Sequence, residues 1–81
     1  MLNKKVYIVS ICLKKCSRKA GEIDYIFHFR GFYHGQKVQK LLVKGGQFET
    51  GEEYLIRAKI LGFKQGALIC QCLKFKSIFK Q

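Results

Sequence analysis

The sequence predicts an all-β protein, a small five-stranded antiparallel barrel with little or no helix. Three observations carry that expectation. Proline is absent, glycine occurs 8 times, and apolar segments alternate with short turns containing Gly, Lys and Ser, which is the pattern of strands and hairpins. No window carries a convincing helical repeat, although residues 73–79 have room for one short helical turn. Five antiparallel strands in 81 residues also leave exposed edges unless the sheet closes on itself.

The first strand is expected over residues 5–14, where Val6 to Leu13 is an unbroken apolar run rich in Val, Ile and Tyr. Lysines precede and follow this run. It superficially imitates a secretory signal, but Lys14 and Lys15 follow at once, no small-residue cleavage site is placed to serve it, and it is too short to span a bilayer. A turn at residues 16–21 leads to a second strand over 22–33. His34-Gly35-Gln36 is the next turn, and a third strand covers 37–44. The glycine pair at 45–46 breaks the pattern. Residues 52–61 then alternate cleanly, with Tyr54, Ile56, Ala58 and Ile60 on one face and Arg57 and Lys59 on the other. Gly62 to Gly66 is expected to turn the chain into a fifth strand over 67–75, followed by a basic tail through Lys80.

A chain of 81 residues builds one domain, here 1–81, with one modest core. A hydrophobic fraction of 48%, with 7 Phe and 4 Tyr, exceeds what a disordered chain carries. Sixteen Lys and Arg against five Asp and Glu give a formal charge of +11, for which a polyanion is the simplest partner; a merely soluble basic surface is the bland alternative. Thirteen of those cations are lysines and three are arginines. Lysine is a flexible point charge, whereas bidentate recognition of a guanine edge favours arginine, so the balance leans toward phosphate contact over sequence readout.

The segment Phe48-x-x-Gly51-x-x-Tyr54-x-Ile56-x-Ala58-x-Ile60, with a glycine-bounded turn and another strand after it, resembles a hairpin of OB-fold single-stranded nucleic-acid-binding proteins. The resemblance covers mainly residues 48–75 and implies a five-stranded barrel. Residues 44–51 leave no room for the family's usual helix between strands three and four, a helix that cold-shock and primosomal single-strand-binding proteins also lack. Asp24 to Phe29 is similar to a cold-shock RNA-binding strand, but the companion Gly-aromatic strand is missing, so only the broader resemblance is kept.

Strand two carries the most chemistry. Tyr25, Phe27 and Phe29 make one apolar face, while His28, Arg30, Phe32 and His34 mix rings with basic groups on the other. Such a mixture suits single-stranded nucleic acid, because rings stack on bases while cations follow the phosphates. The competing reading has Phe32 fill a barrel end with the histidines as solvated surface groups, and a bulge at Gly31 would also reverse which face looks inward. The expected nucleic-acid-binding residues are His28, Arg30, Phe32, Tyr33, His34, Lys37, Lys40, Lys44, Arg57 and Lys59, the lysines and Arg57 extending one electropositive groove. The rival reading is a protein-interaction module that docks an acidic partner or a second copy through a strand edge or aromatic patch. No membrane partner is expected, since no amphipathic helix is visible.

Cys12, Cys16, Cys70 and Cys72 raise the question of zinc. Cys12-x₃-Cys16 is an allowable ligand spacing, but Cys70-x-Cys72 falls within a strand, so a site forms only if the first and last strands pair. Without an export signal the expected location is cytoplasmic and the thiols free. No cofactor and no catalysis are expected: Glu52 and Glu53 are adjacent and face opposite sides of a strand, and neither a phosphate loop nor a nucleophile motif is present.

Overall fold

Five strands, β1 (Lys5–Ser17), β2 (Ile23–Tyr33), β3 (Gln36–Lys44), β4 (Glu53–Lys64) and β5 (Ala67–Ser77), close into a barrel in the order β1-β2-β3-β5-β4. The computed structural model describes residues 4–17 and 23–78, and among them there is no helix. The barrel is all-β, as the sequence predicts, but the sheet is mixed. β3 and β5 run parallel, Lys40 pairing with Ala67 and Lys44 with Gln71, while every other pairing is antiparallel. The physical reason is connectivity. β4 returns across the barrel to pair with β1 and β5 hairpins back from β4, so β5 reaches β3 in the same direction as β3 itself.

The β2–β3 and β4–β5 hairpins each turn on two residues with positive φ, His34 (51°) and Gly35 (80°) in the first, Gln65 (52°) and Gly66 (79°) in the second. Turns of that hand match the natural twist of the flanking strands. The second turn is therefore shorter than the sequence suggests, and Gly62, Phe63 and Lys64 belong to β4. Two further expectations are corrected at strand ends. Cys16 lies in β1 opposite Asp24 and not in a turn, and residues 73–77 continue β5 and do not form a helical turn. Arg18 to Gly21 of the expected turn, Glu22, Phe79 and Lys80 lie outside the described residues.

β1 changes partners part-way along. From Lys5 to Ile11 it pairs with β4, and from Cys12 to Ser17 it pairs with β2, with Leu13 bulged between the Cys12 and Lys14 pairs. Where it has left β2, Ser10 Oγ donates to the carbonyl of His28 and satisfies the buried hydroxyl.

The inward residues make one core, with Phe27, Leu41, Ile56, Val38, Val43, Cys12 and Cys70 completely or almost completely buried. The alternation expected for β4 holds: Tyr54, Ile56, Ala58 and Ile60 are all buried. One end of the barrel is closed by Phe48, whose ring centroid lies 5.0 Å from Tyr25, 5.0 Å from Phe27, 4.9 Å from Tyr54 and 4.8 Å from Phe75. This side chain does the work that a capping helix would do. Its seat depends on Gly46, at φ 80°, where an added Cβ would stand 2.6 Å from the Phe48 ring. The loop is fastened to β1 by Gly51 N donating to Cys12 O (2.7 Å) and Cys12 N donating to Glu52 O (3.0 Å).

Candidate nucleic-acid interface

The β2 face left open by the sequence is resolved by the register. Tyr25 and Phe27 are buried, Phe29 and Tyr33 pack against the core, and His28, Arg30 and Phe32 stand outward. A bulge does occur, but the two unmatched β2 residues, Phe29 and Arg30, keep their strand's alternation; the break falls on β3, where Val38 and Leu41 both turn inward.

Pairing with β3 then sets the outward groups side by side. His28 lies opposite Lys40 and Phe32 opposite Lys37, and directly opposed side chains on a sheet face have Cβ atoms about 4.5–5.5 Å apart. Phe32 is 71% exposed. A lone exposed ring is ordinary on a soluble protein. An exposed ring between an ammonium and a guanidinium offers a stacking surface with positive charge at its margins.

Tyr33 is placed differently from its neighbours. Its ring is stacked on Phe63 (centroids 6.2 Å apart, 29° between planes) and meets His34 edge-on at 4.3 Å. With Tyr7, Phe29, Phe32 and His34 it lines an open cleft of about 390 Å³ in the seam between the first half of β1 and the end of β2. Tyr33 therefore forms a wall of this cleft and not an outward platform.

Lys44 is occupied. It lies opposite Asp24, 4.0 Å from the buried carboxylate, at the far end of the hairpin. Arg57 and Lys59 are separated from the β2–β3 face altogether, since β4 neighbours only β5 and β1. Arg57 stands over the ring of Tyr7 on β1 (5.8 Å), and Lys59 pairs with Lys5. The ten expected residues therefore do not form one groove. Six of them, His28, Arg30, Phe32, His34, Lys37 and Lys40, form a contiguous outer surface on one hairpin.

The described carboxylates are confined to one end of the barrel, whereas cations occur at both, Lys14, Lys15, Lys44, Lys74 and Lys76 among them at the carboxylate end. The described carboxylates, Asp24, Glu49, Glu52 and Glu53, all lie at the end where β2 and β4 begin. The opposite end, bearing both two-residue turns and the start of β1, carries Lys4, Lys5, Arg30, Lys37 and Lys64 and no described carboxylate. Lys4 and Lys64 escaped sequence reasoning. Lys64 falls in an expected turn, and the parallel β3–β5 pairing that begins at Lys40 and Ala67, extended by the bond from Gln39 N to Gly66 O (2.8 Å), brings the β4–β5 turn alongside β3.

No family model, curated protein or solved structure matches the chain. The chemistry of the face itself therefore carries the functional reading.

The cysteines lie apart from it. β1 and β5 do not pair, and among the described residues no three His, Cys, Asp or Glu side chains group as a metal site. All four thiols are free, Cys12 and Cys70 buried and Cys16 and Cys72 half-buried. Burial pushes the Cys70 thiol up to about 11 and raises Cys12 and Cys72 as well, the latter two partly offset by backbone hydrogen bonds. Thiols held in the protonated form are poor nucleophiles and poor metal ligands.

Proposed function

We propose that the outer face of the β2–β3 hairpin binds single-stranded DNA or RNA with low sequence specificity. The observation that carries this is the placement of an exposed ring, Phe32, directly opposite Lys37, with Arg30 beside it and no described carboxylate at that end of the barrel. Stacking needs a base whose face is free, which an unpaired strand supplies and a duplex does not. Phe32 and His34 present rings to successive bases, while Arg30, Lys37 and Lys40 neutralise the phosphates between them. Ring faces accept any base and lysine reads no base edge, hence the low specificity.

Fluorescence anisotropy with labelled single-stranded DNA, single-stranded RNA and duplex of equal length tests the proposal. Phe32 is outward and exposed, so Phe32→Ala leaves the core intact. Loss of one stacked base costs about 1–3 kcal/mol, or roughly 5- to 150-fold in affinity. Single-strand preference that weakens in this variant supports the reading. Failure of all three ligands to bind at low salt overturns it.

A further inference from the structure

The outward face of β1 carries the longest run of exposed apolar side chains among the described strands. Its successive outward positions are Tyr7, Val9 and Ile11, followed by the bulged Leu13, exposed by 69%, 58%, 42% and 49%. Leu55 on β4 lies opposite Val9 and widens the stripe. A contiguous apolar surface of this kind marks a contact with another macromolecule; Val9, Ile11, Leu13 and Leu55 offer no ring to stack on a base, and the Tyr7 ring lies under Arg57.

On the β4 side of the stripe the charges are ordered, while Lys14 and Lys15 follow Leu13 on β1 and Lys74 lies opposite Arg57 on β5. Along β4, Glu53 lies opposite Ile11 and Arg57 lies opposite Tyr7, about 13 Å apart at 3.3 Å per residue, with Leu55 midway. Glu49 and Glu52 precede Glu53, and Lys59 follows Arg57. A uniformly acidic partner would meet the carboxylates at one end, and a uniformly basic one the cations at the other. A surface that runs from negative to positive about an apolar centre is complementary to itself turned end for end.

We propose that this face is covered by a second copy of the chain. In the two-fold arrangement the axis passes through Val9 and Leu55, Ile11 of each copy packs on Tyr7 of the other, and Glu53 of each meets Arg57 of the other. Lys59 then faces the other copy's 49–53 stretch. Lys76, opposite Leu55 on β5, falls at the rim, where water and salt screen it from its own copy. The β2–β3 face stays outside this contact, so the assembly does not depend on nucleic-acid binding.

Sedimentation velocity without nucleic acid, over a concentration series reaching millimolar protein, reads the assembly directly. A dimer is expected, tightening from low to moderate salt because each copy carries +11 and screening relieves their repulsion. Val9→Lys, at an exposed position, yields a monomer with unchanged circular dichroism. Reversal of either Glu53→Arg or Arg57→Glu weakens association about tenfold or more, since each pair occurs twice. The double variant restores it. A chain that stays monomeric throughout overturns the proposal, as does a dimer indifferent to Val9→Lys. Failure of the double reversal to rescue overturns the two-fold pairing, and a monomer that instead binds anionic vesicles through Val9 assigns the stripe to lipid and overturns it too.

Discussion

Replacing Lys37 and Lys40 together with glutamine removes two of the three cations, Arg30, Lys37 and Lys40, that surround Phe32 and His28 on the β2–β3 face. The effect on binding follows from counterion release. If each of the three neutralises one phosphate of a single strand, they contribute a slope of about −2.1 to log affinity against log salt, and the double variant retains about −0.7 of it. Raising salt fourfold, from about 50 to about 200 mM, then weakens the wild-type contribution about 18-fold but the variant's only about 2.6-fold. Cations elsewhere on the barrel add to both slopes and cancel in the difference. Anisotropy titrations of one labelled oligonucleotide at several salt concentrations measure it. Lys44→Gln is the internal control, because Lys44 is engaged with Asp24 and contributes little to the slope. A double variant whose slope matches wild type, or a Lys44→Gln slope that falls as much as the double variant's, would refute the assignment of phosphate contacts to this face.

Two further outcomes concern the barrel itself. Phe48→Ala empties the closed end among Tyr25, Phe27, Tyr54 and Phe75 and is expected to cost about 3–5 kcal/mol, visible as a lower urea midpoint at unchanged m; a cost under about 1 kcal/mol would mean that the end is sealed by something else. Cys70 is held as a thiol up to about pH 11 against an ordinary 9.0, so the unfolded chain loses this proton first; its contribution to stability is full below pH 9 and declines as pH rises toward 11. Subtracting the pH profile of Cys70→Ala from wild type isolates that decline from the titration of lysines and tyrosines, and parallel profiles would contradict it.

Local pattern made much of this molecule legible. The alternation over residues 53–60 is strong because each inward residue meets the core and each outward one meets water, and the mixed face of β2 was visible for the same reason. What escaped was relational. The parallel β3–β5 pair follows from where β4 returns, and strand order is carried by no single segment. That same order removed Arg57 and Lys59 from the hairpin face. Lys44 looked like its neighbours Lys37 and Lys40 until the register put Asp24 opposite it. Phe48 was noticed only as part of a spacing pattern; its position as the seal of the barrel depends on three strands converging around it. The stripe on β1 was hidden in an apolar run, which by composition alone is a buried strand, whereas half of its side chains stand outward.

The divided allegiance of β1 also sets an order of events for the folding chain. The β2–β3 and β4–β5 hairpins close through two-residue turns and need only neighbours in sequence, whereas Val6 must find Ala58, some fifty residues away. Hairpins form in about 1–10 μs, while topologies dominated by distant pairings take milliseconds to seconds. The ring-and-cation surface therefore belongs to a piece of chain that takes shape early, and the β1–β4 surface exists only after the last strand docks. A nascent or partly unfolded molecule would display the first surface without the second.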